Sequence, residues 1–295
     1  MKKQQLFRFC LYGFLKNQIY FKPFLILVFL EKGFSFLDIG FLISFRALSI
    51  NLLEIPSGAA ADVWGRRRSM ILSMSGYIAS FILFALVKKY WIFFPAMFLF
   101  AIGEAFRTGT HKAMIFDWLR HQGCEEKKTE IYGLTRSWSK IGSAINAWIA
   151  AGIVIYTKNY IWIFWASIIP YALNIVNFTF YPDFLDGSPK KKHNINQIVM
   201  VLKGGLKLCV KKIDLRNLIL QNICFEGFYS IAKEYLQPLI KIAVLTTPIM
   251  LAMPEKNRTA ILIALIYSLL NIMGSIASRK SHQISKKVGS EEKFS

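Results

Sequence analysis

Eight apolar runs, each close to the length that crosses a bilayer, divide this chain and leave little room for a soluble fold. They fall at about 6–29, 37–61, 69–88, 91–118, 130–156, 160–181, 217–240 and 259–278. A helix rises about 1.5 Å per residue, so about 20 residues span the hydrocarbon core. Inside that core each backbone N–H and C=O needs a partner within the protein, which continuous apolar runs achieve as helices. The expected fold is all-α and polytopic. The first run is the weakest, because Lys16, Asn17, Gln18 and the pair Lys22-Pro23 interrupt it.

The formal net charge of +20 would ordinarily suggest a nucleic-acid partner. Its placement excludes that reading, because the basic residues sit in short clusters between apolar runs, with no zinc-finger spacing and no aromatic RNA-binding signature. With the N-terminus placed inside, the inner segments hold 22 lysines and arginines and the outer loops 6. That asymmetry follows the positive-inside rule and predicts an inner or plasma membrane protein with both termini cytoplasmic. The basic N-terminus lacks a small-residue cleavage site, so it reads as a first membrane helix and not as a signal peptide. Cys10, Cys124, Cys209 and Cys224 are scattered and form no CxxC pair, and the four histidines are equally dispersed. Neither a metal site nor a cofactor is expected. No nucleophile elbow or phosphate-binding loop stands out, so the chain does not read as an enzyme.

Connection lengths predict the domain plan. Residues 1–181 form a six-helix bundle, 182–216 a basic cytoplasmic linker, 217–278 two further spans, and 279–295 a basic cytoplasmic tail. Within the linker, 195–212 has the pattern of an amphipathic helix whose lysines would meet anionic lipid.

One connection carries a motif. Residues 58–68, GAAADVWGRRR, lie on the inner side between the second and third runs. The stretch resembles motif A of the major facilitator superfamily, G-x-x-x-D-x-x-G-R-[KR]. Residues 102–119 look like the fourth helix of bacterial members, 234–240 like the outer end of their seventh, and 274–289 like the degenerate second copy of motif A. The resemblance runs through the whole chain, yet it corresponds to about the first two thirds of a usual twelve-helix transporter. It implies a six-helix N-terminal bundle plus the first two helices of a C-terminal bundle. It also implies secondary active transport of a small solute by alternating access. In the family the motif A aspartate meets a late helix of the C-terminal bundle, which this sequence does not contain. Either another chain supplies the remaining helices, or the product is a truncated, transport-inactive remnant or an interaction-only membrane protein.

The motif has a physical reading as well. Gly58 would allow close helix approach near the inner end of the second run, and Gly65 would supply a tight turn. Asp62 sits where a helix N-terminus or an arginine could satisfy it, and Arg66 can reach Asp117 at the inner end of the fourth run. By resemblance, Asp62, Arg66 and Asp117 form the charge cluster of an inner gate. Arg67 and Arg68 read as topogenic charges.

Ionisable groups at membrane depth cost about 2.5–3.5 kcal/mol each on insertion scales, so each needs a reason. Lys16 and Asn17 fall near the middle of the first run, Glu104 and Arg107 of the fourth, and Glu226 of the seventh; Arg136 lies in the inner half of the fifth. These six are the expected substrate or proton pathway, the cavity assignment coming from the resemblance. A proton and a substrate competing for Glu104 or Glu226 would give proton-coupled efflux. Lys140, Lys233 and Glu234 read as structural or interfacial, Arg46 as a partner for another helix, and His111 as a packing residue. The helix 5 motif of drug exporters is only half present: Gly133 and Gly142 keep its spacing, but Asn146-Ala147 and Ala150-Ala151 replace its Gly-Pro and Gly-Gly.

Overall fold

The computed structural model describes residues 3–186, 213–247 and 251–288. Ten α-helices lie within them: α1 (Lys3–Leu15), α2 (Leu25–Glu31), α3 (Phe36–Trp64), α4 (Arg66–Leu86), α5 (Phe93–Arg107), α6 (Thr110–His121), α7 (Lys128–Thr157), α8 (Ile161–Thr179), α9 (Ile213–Thr246) and α10 (Glu255–Val288). Among the described residues there is no strand. The helices α1 to α8 make six spans, because α1 with α2 and α5 with α6 are each one broken span. The other two spans are α9 and α10. Six of the eight expected runs give helices long and apolar enough to cross a membrane; the first run, split in two, and α9 do not meet that measure. The expected amphipathic stretch 195–212 lies outside the described residues.

The first break is the feature that shapes the interior. After Leu15 the chain unwinds, passes a short 3-10 turn at Lys22–Phe24, and re-enters a helix at Leu25. Pro23 cannot donate to a helix running through it, and Lys16, Asn17 and Gln18 add polar groups just before it. Irregular backbone at this depth survives only where protein satisfies it. Here side chains from three other helices do so. Asn146 of α7 donates to the carbonyls of Asn17 (2.8 Å) and Ile19 (3.0 Å). Tyr171 of α8 donates to the carbonyl of Lys16 at 2.7 Å, and Ser167 accepts from the Tyr20 N–H at 2.9 Å. Gln237 of α9 donates to the Lys22 carbonyl (3.1 Å) and accepts from the Ile26 N–H (3.0 Å).

The second break corrects the expectation of one continuous fourth helix over 91–118. Thr108 is extended and Gly109 takes φ +77°, a left-handed conformation that glycine adopts without strain. Glu104 and Arg107 therefore end α5, while His111 begins α6.

Small residues draw the spans together, as they do in membrane bundles. A Cβ on Gly103 would stand 2.7 Å from the Tyr77 ring, and one on Gly142 would stand 2.7 Å from the Phe14 carbonyl oxygen. Serines join the close faces: Ser73 to the Gly103 carbonyl (2.5 Å), Ser80 to Ala96 (2.8 Å) and Ser57 to Ala105 (2.9 Å). An aromatic core lies between the first break, α4 and α8, where Phe21, Phe81, Phe84 and Phe164 meet ring to ring. The pair α7 and α10 forms the longest seam of the molecule, crossed by a Ser137–Ser275 hydrogen bond of 2.9 Å.

Candidate functional site

A cavity of about 340 Å³ opens where the first break faces α7, α9 and α10. Lys16, Asn17 and Lys22 come from the break, Arg136 and Lys140 from α7, and Lys233 from α9. Helical spacing sets the α7 contribution: Arg136, Lys140 and Ser143 follow at i, i+4 and i+7 on one face and all line the cavity. From α10, Tyr267 and Asn271 close the far wall. The lining thus draws on both the six-span bundle and the two spans that follow it.

Of the six expected pathway residues, the structure brings Lys16, Asn17 and Arg136 together here. Glu104 and Arg107 lie outside the lining and are bonded to each other and to Tyr77 of α4. The Arg107 guanidinium donates to Glu104 Oε1 and, at 3.3 Å, to the Tyr77 hydroxyl, which donates to Glu104 Oε2. Glu226 is on α9, and its side chain lies outside the described residues. Lys140 and Lys233, expected to be structural or interfacial, instead line the cavity, and Lys22 joins them. The fourth-run histidine packs as expected: His111 is buried against the Tyr12 ring at 3.9 Å and faces the Tyr181 hydroxyl at 3.4 Å.

At the end of the molecule bearing the glycine-arginine motif, Gly65 joins α3 to α4 with φ +94°, making a turn that costs a residue with a Cβ strain. The Arg66 side chain is ion-paired with Asp117 of α6, which also meets Arg120 at 3.5 Å. Asp62 is on the last turns of α3, and its side chain lies outside the described residues. The close approach expected at Gly58 does not form: its Cβ position looks into open space, so the small residues that draw α3 in are elsewhere. Arg67 has more to do than its expected topogenic role. Its side chain reaches Asp183 (3.0 Å) and the Tyr181 carbonyl (3.2 Å), and its N–H donates to Asp186 at 2.6 Å. Asp186 thereby caps the N-terminus of α4, a favourable place for a carboxylate.

The ion pairs and ring contacts that join the two bundles lie toward the opposite end, in addition to the seam between α7 and α10. Arg46 of α3, for which the sequence offered no partner by name, pairs with Glu234 of α9 at 3.0 Å. Lys256, at the start of α10, bonds Glu31 and the Lys158 carbonyl, each at 3.0 Å, and lies 4.2 Å from the centre of the Tyr160 ring. Phe36 stacks on Tyr235 at 6.2 Å.

Broken helices at mid-depth, a cavity shared by two bundles and a succession of apolar spans define a multi-pass membrane protein of the two-bundle helical class. The chain belongs to the Major Facilitator Superfamily, whose family model matches residues 9–294. Among solved structures, it is similar to the nucleoside transporter NupG, with a TM-score of 0.71 at 12% identity over 96% of this chain and 68% of that one. A POT family transporter in complex with thioalcohol conjugated peptide gives a TM-score of 0.54 at 15% identity, over 84% and 52%. These likenesses establish the fold. A further NupG structure is covered over 66% of its length, so the chain spans between about half and two thirds of most such transporters. No curated protein sequence matches it.

Proposed function

We propose that the chain moves a small solute across the membrane by alternating access, with the cavity at the α1–α2 break as its binding site. The observation that carries this reading is the composition of the cavity wall, which takes residues from the α1–α2 break, α7, α9 and α10 and so changes shape whenever the two bundles rock. With both termini cytoplasmic, the Arg46–Glu234, Lys256–Glu31 and Gln237 contacts lie in the outer half and hold it shut. The described conformation is then inward-facing. Arg66 and Asp117, already ion-paired in this conformation, serve with Asp62 as inner-gate residues at the other end.

Ser143→Cys in a background with Cys10, Cys124, Cys209 and Cys224 changed to Ala tests this without knowledge of the solute. A membrane-impermeant maleimide should label it from the cytoplasmic face, and also from the outer face. Lys256→Gln should speed the outer labelling. Labelling confined to one face in both proteins, or absent from both faces, would overturn alternating access.

A further inference from the structure

Five cations line the cavity: Lys16, Lys22, Arg136, Lys140 and Lys233. Among the described residues no carboxylate is in the lining. Elsewhere Arg46 has Glu234 and Arg107 has Glu104, and Glu54 of α3 lies outside the lining. None of the five forms an ion pair among the described residues; Lys16 and Lys233 lie only over tyrosine rings, at 5.4 and 6.0 Å. Glu226 stands seven residues before Lys233, about 10 Å along the α9 axis, and one carboxylate answers at most one of five charges.

The neutral polar groups of the wall point to the same chemistry. Several of their donors are directed at backbone: Asn17 at the Gly13 carbonyl (2.7 Å), Asn146 at the α1–α2 break, Ser143 at Ser139 (3.2 Å) and Asn271 at Tyr267 (2.7 Å). The charged groups left to meet a solute are ammonium and guanidinium groups, with the Tyr132 hydroxyl and the carboxamides of Asn17, Asn146 and Asn271 beside them. Like charges gathered in a poorly solvated site repel strongly. The relief is an anion with several negative charges and many acceptor oxygens, for which such donors are well matched. The volume, far above the ~10–15 Å³ that admits one water, has room for a metabolite-sized solute.

We propose that this cavity is an anion site and that its occupant is a small polyvalent anion, phosphorylated or polycarboxylate. Taking that anion as cargo rests on the transport reading above.

The test is thermal unfolding of the purified full chain in detergent, titrated with inorganic phosphate and with citrate at constant ionic strength, and with glucose as the neutral control. At a hundredfold excess over Kd, the responding anion should raise Tm by about 5 °C, saturably, and glucose should not. A response to phosphate assigns the phosphorylated class, and one to citrate the polycarboxylate class. Arg136→Gln/Lys140→Gln should weaken the response at least tenfold while the ligand-free Tm holds or rises, and Arg136→Lys should keep most of it. No saturable response to either anion overturns the inference. So does an undiminished response in the double variant, which would place binding on the basic connections. Should the double variant fail to fold, Lys16→Gln is read in its place by the same criterion. The maleimide labelling, run without anion, keeps the two readings apart. Two-faced labelling with no anion response sinks this inference alone, whereas an anion response with one-faced labelling sinks transport and leaves a static anion site.

Discussion

Two groups of charge lie near mid-depth in this molecule, and they are built in opposite ways. Glu104, Arg107 and Tyr77 bond one another across α4 and α5, both carboxylate oxygens engaged. Across the first break, Lys16, Lys22, Arg136, Lys140 and Lys233 face one cavity with no carboxylate among them. Desolvation penalises both groups, but only the first carries its compensation within the chain. The contrast separates charges that hold helices together from charges that await a solute. It also revises the expectation that all the mid-depth charges share one pathway.

The largest effect should come from breaking the paired group. Glu104→Gln leaves the Arg107 guanidinium part-buried without its carboxylate, which should cost about 3 kcal/mol in denaturant unfolding. Adding Arg107→Gln should recover most of that, because the two sites share one interaction. A Glu104→Gln protein as stable as the parent would erase the distinction between the two groups.

Next comes a change that disturbs the cavity without touching charge. Gly142→Val forces side-chain atoms onto the Phe14 backbone, whose oxygen is already 2.7 Å from the Cβ position, and pushes the first break off α7. Overpacking of this kind costs about 2 kcal/mol. It should also weaken the anion response, since Asn146 holds the carbonyls on either side of Gln18, next to Lys16. A full anion response at reduced stability would show that the break does not position the cations.

How far these features could be read from the sequence depends on the range of the forces involved. The eight runs, their helical character and the weakness of the first are local properties of hydropathy, and they were legible. So was the turn at Gly65 and the reach of Arg66 to Asp117, since both follow from short spacings and a shared depth. The break at Thr108 and Gly109 was not, because a glycine between apolar stretches is common in membrane helices and only tertiary packing makes it bend here. Nor was the sorting of charges. Glu104 and Lys16 look alike on a depth count, and which of them has a partner is decided by Tyr77, Asn146 and Gln237 on other helices. Lys140 and Lys233 were read as interfacial for the same reason. Arg67 was taken for a simple topogenic charge because its partners, Asp183 and Asp186, are more than a hundred residues away in the chain.

A smaller effect should follow at the seam between the bundles. Arg46→Gln removes the pairing with Glu234, worth about 1 kcal/mol at this partial exposure. By the relation between free energy and population, that is about a fivefold shift toward separation of α3 from α9. Spin labels at the Glu31 ends of α3 and α9 would report it as a second, longer distance. A single unchanged distance would mean that Gln237 and Lys256 carry the closure without Arg46.

The smallest effect is the one whose sign matters most. Lys140→Gln removes one of five like charges from the cavity, so in anion-free protein it should leave stability unchanged or raise it by up to about 1 kcal/mol. Elsewhere in a membrane interior the loss of a polar contact lowers stability, and the sign is reversed here because Lys140 faces no carboxylate among the described residues. In saturating anion the same substitution should lower Tm relative to the parent, because the complex forgoes a charge-assisted bond. The two unfolding curves, with and without anion, should therefore cross between parent and variant. If Lys140→Gln is destabilising in both conditions, its ammonium is answered within the chain, and the contrast with the Glu104–Arg107 pair fails at that residue.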